Sequence, residues 1–158
     1  MKTQGILSLK AILIGLLVLT SGTVAMAQTD EMGNSKVVSH DEMASLNWMA
    51  CPAPLDVAGC HITVLHGDPT KPNSDILFKL EPGASVPRHW HTSAERMVMI
   101  SGEMEVTYDG EETQSFKPGT YAFGPSNKPH VAKCKEGGDP CVLFIGFEEP
   151  VDSYVKSE

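Results

Sequence analysis

Apolar positions along this chain fall into short runs separated by turn-forming residues, and no long stretch holds a helical period. Runs rich in β-branched, aromatic or Met side chains occupy 61–66, 76–81, 96–100, 103–108, 120–123 and Cys141–Phe147. Between them lie Gly67-Asp68-Pro69, Glu81-Pro82-Gly83, Ser101-Gly102, Asp109-Gly110, Lys117-Pro118-Gly119, Gly124-Pro125 and Gly137-Gly138. Gly and Pro in such clusters are turn punctuation. Asp109-Gly110 between two alternating runs predicts a two-residue hairpin. Many short strands at regular spacing predict an all-β sandwich or barrel of jelly-roll type.

The candidate chemistry is concentrated between Gly83 and Gly102, which reads G-x5-H-x-H-x3-E-x6-G, with His130 further downstream behind a Gly/Pro-rich turn. On a strand, His89 and His91 share one face, and Glu95 keeps the same parity. One sheet face is therefore expected to carry two imidazoles and a carboxylate, a donor set for a transition metal. Met97 and Met99 share the parity of Glu95. Their ordinary role is to fill the core, and if a cavity remains they give it a soft apolar wall. Phe78 and Phe123 are further candidates for that wall. His40, His61 and His66 have no comparable partners in the sequence and read as surface or strand-end residues.

The ends of the chain alter the picture. Lys2 and Lys10 precede an apolar run over 11–19 and a small-residue stretch ending Ala25-Met26-Ala27. This predicts a secretory signal peptide over 1–27, with an uncleaved anchor as the alternative. The run is short of the about 20 apolar residues of a membrane span. A flexible segment over 28–47, a β-barrel domain over 48–150 and a tail over 151–158 complete the expected organisation. The expected compartment is outside the cytoplasm, a bacterial periplasm above all.

The formal net charge is −8, and loss of the leader removes two lysines and no acids. No basic cluster is present, so neither nucleic acid nor, once the leader is cleaved, a membrane is an expected partner. Four cysteines suit an oxidising compartment and allow three pairings. Cys51–Cys60 and Cys134–Cys141 are favoured because each closes a local loop. A Cys-ligated zinc site is the alternative, but no C-x2-C spacing supports it.

The residues Gly83, His89, His91, Glu95 and Gly102, with Pro87 among them, resemble the first motif of the cupin superfamily, whose fold is a small double-stranded β-barrel. That family's second motif, G-x5-P-x-G-x2-H-x3-N, is matched by Gly119, Pro125 and His130. Asn127 replaces its third-position glycine and Cys134 its terminal asparagine. The resemblance implies that His89, His91, Glu95 and His130 bind one divalent transition metal: Fe, Mn, Ni, Cu or Zn. It also implies a dimer, since homodimers are frequent in that superfamily.

Function stays open among three classes. One is a metalloenzyme of dioxygenase, isomerase or lyase type acting on a small, oxygen-rich organic molecule, with the metal as Lewis acid. There the resemblance gives Glu95 a catalytic role as a dissociating base, and Tyr108, Tyr121, Arg88 and Arg96 are secondary polar candidates. The second is a non-catalytic exported module holding a metal or small ligand. The third is a structural barrel, against which the buried ionisable cluster argues.

Overall fold

The computed structural model describes residues 35–155, so the expected leader over 1–27 lies outside the described residues. From Val38 onward the chain forms two facing antiparallel sheets. Strands β1 (Met49–Ala50), β2 (Cys60–His66), β3 (Ser74–Leu80), β4 (Ser85–Trp90), β5 (Glu95–Ser101) and β6 (Met104–Tyr108) are followed by five more. These are β7 (Gln114–Phe116), β8 (Tyr121–Gly124), β9 (His130–Cys134), β10 (Cys141–Phe147) and β11 (Tyr154–Val155). One sheet runs β1-β2-β3-β10-β5-β8 and the other β11-β4-β9-β6-β7, the jelly-roll arrangement the run spacing predicts.

Alternation fixes which side chains enter the space between the sheets. In β5, Glu95, Met97 and Met99 are buried while Arg96 and Val98 are exposed. In β6, Met104, Val106 and Tyr108 point inward. Strand β4 departs from simple alternation, since Val86 and His89 are both buried although three residues apart. Its pairing with β9 shifts register between them, from Val86↔Ala132 to His89↔His130. Such a bulge inserts one residue and re-aims the next inward side chain. Pro87, which has no N–H to give a ladder, occupies this irregular stretch.

Three details differ from the sequence expectation. The hairpin after β6 turns about Gly110: Val106 pairs with Gln114, and Gly110 has φ 79° while Asp109 is not left-handed. The doubly left-handed two-residue turn is therefore not formed, and Glu111 N–H instead donates to Tyr108 O at 3.0 Å. Within the segment expected to be flexible, His40–Ser45 forms a short 3-10 helix. The Ser39 hydroxyl and N–H bond Glu42, and Trp48 Nε1 donates to Met43 O at 2.9 Å. The expected tail likewise joins the fold, because β11 pairs with β4 through Tyr154↔Trp90 and Val155↔His89.

The cysteine pairs Cys51–Cys60 and Cys134–Cys141 lie at disulfide distance, with Cα–Cα separations of 5.4 and 5.7 Å. Cys134 and Cys141 are fully buried. Gly102 turns β5 into β6 where a Cβ would fall 2.8 Å from Cys141 Cα, so the approach of these two backbones excludes a side chain. Among the described residues no helix is long and apolar enough to cross a membrane.

Candidate metal centre

His89, His91 and His130 converge at one end of the space between the sheets, each less than a tenth exposed. Their candidate ligand atoms all lie within 4.8 Å of one another. Strands β4 and β9 present His89 and His130 side by side, with ring centroids 4.1 Å apart. His91 follows the end of β4, and its backbone carbonyl accepts from Asn127 N–H at 2.7 Å. Asn127 has φ 58°, so this residue in the glycine position takes the left-handed conformation itself.

Each imidazole is oriented through Nδ1. His89 Nδ1 lies 2.7 Å from Pro87 O, His130 Nδ1 lies 3.2 Å from Lys128 O, and His91 Nδ1 bonds Asp152 O. A carbonyl can only accept, so each Nδ1 carries the proton and each neutral ring presents its Nε2 lone pair inward. Burial, then His130 and His91, pull the His89 imidazole from 6.5 down to about 3. Burial likewise lowers His130, against the opposing pull of Glu95. The Glu95 carboxylate comes within 3.5 Å of His91 Nε2. A buried cluster of acceptors facing acceptors calls for a shared proton or a cation at its centre. The residues thus fit a divalent metal.

Glu95 does not reach the cluster by the expected route. It opens β5 in the sheet opposite β4, and the parity shared with His89 and His91 is incidental. The short connection from His91 to Glu95 crosses between the sheets, so the carboxylate faces the imidazoles across the interior. The mutually close group comprises the three histidines, and Glu95 approaches it through His91.

The register builds layers beneath this cluster. Tyr108↔His130 and Phe147↔Glu95 are level with it, and the His91 ring meets Phe147 edge-on at 5.7 Å. Next come Val106↔Ala132 with Val86 on one sheet and Ile145↔Met97 with Ile76 on the other. A cavity of about 440 Å³ runs through these layers, within the usual range of small-molecule sites. Cys51, Leu55, Val151 and Asp152 also line it.

Of the residues singled out as wall, Phe78 and Met97 line the cavity. Met99 is buried among the core residues but does not line it. Phe123 is corrected outright: paired with the outward Arg96, it is 54% exposed on the outer face of the sheet. Of the secondary polar candidates, Tyr108 alone lines the cavity. Arg88 pairs with Asp109 and Arg96 with Glu148 at the surface, and Tyr121 is exposed. Away from the histidines the lining side chains are mainly apolar, among them Ile62, Ile76, Met104, Phe116 and Leu143. Asp152 and Thr92 escaped sequence reasoning: the Thr92 N–H and hydroxyl both bond the Asp152 carboxylate. No local signal marks Thr92 beside the histidines or Asp152 in the polar C-terminal segment.

Residues 76–147 match a family model described as a cupin domain. Among solved structures, the DMSP lyase DddQ from Ruegeria pomeroyi DSS-3 is similar at 17% identity and TM-score 0.61, over 72% of this chain and 62% of that one. The polyketide cyclase RemF from Streptomyces resistomycificus is similar at 19% identity and TM-score 0.62, over 78% and 88%. A Bacillus subtilis oxalate decarboxylase is similar at 23% identity and TM-score 0.53, over 65% of this chain and 29% of that chain. This chain thus spans less than two thirds of the lyase and of the decarboxylase, and at such identities the likeness is one of fold. No curated protein sequence matches the chain.

Proposed function

For a chain that is a small member of the cupin superfamily, we propose that His89, His91, His130 and Glu95 hold one divalent transition metal and that the protein is an exported metalloenzyme of dioxygenase, isomerase or lyase type. The observation that carries this reading is the orientation of all three imidazoles by carbonyls, which leaves three Nε2 lone pairs converging beside a carboxylate. Hydrogen bonds of this kind fix tautomer and ring direction at metal sites. Support also comes from the names of the similar folds, which are those of a lyase, a cyclase and a decarboxylase.

The metal, one of Fe, Mn, Ni, Cu or Zn, supplies Lewis acidity toward a substrate oxygen. The chain's own residues do the rest. His89 and His130 stay neutral through burial and remain available as donors near neutral pH. Glu95 is the base that takes a proton from a bound molecule. The two cysteine pairs at disulfide distance support an oxidising compartment such as a periplasm, with the 1–27 segment as its leader.

The test is elemental analysis of the exported protein beside a His89→Ala/His91→Ala variant. One equivalent of metal that vanishes in the folded variant is expected. Unchanged loading in the variant would sink the assignment. A second reading, a non-catalytic module that binds a metal or small ligand, is favoured by the mainly apolar lining of the cavity beyond the four proposed ligands. Metal-dependent turnover of a bound compound excludes it, and saturable binding without product supports it.

A further inference from the structure

We infer that the cavity takes an amphiphilic molecule, with one oxygen head at the histidine level and a hydrocarbon body in the apolar layers below. This deepens the reading above and rests on it only for the metal-facing head. The polar groups are confined to one level. Below Tyr108, the inward positions of β6 are Val106 and Met104. Below Phe147, those of β10 are Ile145 and Leu143, and Phe116 adds to the wall. The four residue steps of strand from the Tyr108 level down to Met104 span roughly 13 Å.

Charge narrows the class further. Among the described residues no lysine or arginine lines the cavity, and its acids are Glu95 and Asp152. Beyond the proposed metal, which serves one head group, a dianion or a phosphorylated compound would find no cationic side chain, and a sugar's hydroxyls would lack partners in the lower layers. A single alcohol, enol or monocarboxylate on an apolar chain or ring leaves no such deficit.

A second, independent observation places the head. The Tyr108 hydroxyl is buried, has no hydrogen-bond partner among the described residues, and belongs to a side chain that lines the cavity. A buried phenol without a partner carries a desolvation penalty that a ligand oxygen removes. Beside His130, at a ring separation of 4.7 Å, it stands at the polar level where that oxygen would arrive.

The experiment titrates a homologous series of 1-alkanols, butanol to octanol, into metal-free and metal-loaded protein by calorimetry, with bound metal measured in the same samples. Affinity is expected to rise about fourfold per methylene in both forms. In metal-loaded protein, octanoate is expected to bind more tightly than oxalate. Tyr108→Phe should weaken every alcohol by one common factor of about five while leaving the chain-length slope unchanged. Val106→Phe, which fills the shaft, should abolish the slope while retaining metal. Affinity independent of chain length, or oxalate preferred to octanoate, overturns the inference even where one equivalent of metal is bound. A steep slope in protein that takes up no metal upholds the apolar site and instead refutes the metal reading. If Val106→Phe fails to fold, the series on the unaltered protein still decides.

Discussion

His91 is held by a residue 61 positions away: its Nδ1 donates to the backbone carbonyl of Asp152, whose carboxylate also takes the Thr92 N–H and hydroxyl. The segment after β10 is thus an outer support of the metal centre. Trp90 stacks on Tyr154 at 5.7 Å and seats β11 against β4, which keeps that carbonyl in place.

Removal of residues 151–158 should therefore weaken metal binding by about 10- to 100-fold, the usual cost of losing such an orienting partner, while the barrel stays folded. Competition with a chelating dye measures the affinity, and near-UV circular dichroism reports the fold. Asp152→Ala, which keeps the carbonyl but frees Thr92, should lose less. Equal metal affinity in the truncated chain would show that His91 needs no such support.

The metal-free protein should lose stability as the pH falls. His89 titrates near 3 in the native state against 6.5 when unfolded, so between these values the unfolded chain binds a proton the native one refuses. The contribution is fully present above about pH 6.5 and is lost as the pH falls toward 3. At about 1.4 kcal/mol per unit it amounts to several kcal/mol at most. His130 is shifted in the same direction. Urea midpoints measured from pH 8 to pH 4 should decline, and His89→Gln should flatten the curve. A profile identical in the variant would mean that other groups carry the dependence.

Gly124→Ala should disturb the centre although glycine contributes no donor. Gly124 pairs with Glu95 across β5 and β8, and a Cβ there would fall 2.6 Å from the Tyr108 hydroxyl and 3.0 Å from Glu95 Oε2. Overpacking of this kind costs about 1–3 kcal/mol. Adding Tyr108→Phe should recover part of the loss in thermal unfolding. If the double variant recovers nothing, the contact with Glu95 dominates.

Cys134→Ser/Cys141→Ser should lower stability in urea by about 2–3 kcal/mol, the loop-closure value for so short a separation, and leave bound metal unchanged. Cys51→Ser/Cys60→Ser should cost a similar amount and also weaken ligand binding, because Cys51 lines the cavity. Metal released by reduction alone would reveal a thiolate ligand.

Features that depend on neighbours along the chain were legible before any folding. Alternation within 103–108 and Cys141–Phe147 set which side chains turn inward, glycine and proline clusters set where strands stop, and the spacing of His89, His91 and Glu95 marked the donors. Loop closure made the two local cysteine pairings the favoured ones. Features that depend on contacts between distant segments emerge in the folded chain alone. The two sheets face each other, so Glu95 meets the imidazoles from across the interior rather than along one face. A bulge in the β4–β9 pairing aims His89 inward, and Asp152 arrives from the far end of the domain. Phe123 and Phe78 are chemically alike, yet register turns Phe123 to solvent while Phe78 lines the cavity. Periodicity assigns faces within one strand, but which strand opposes which is set by burial of the whole core, a long-range free energy that no local window contains.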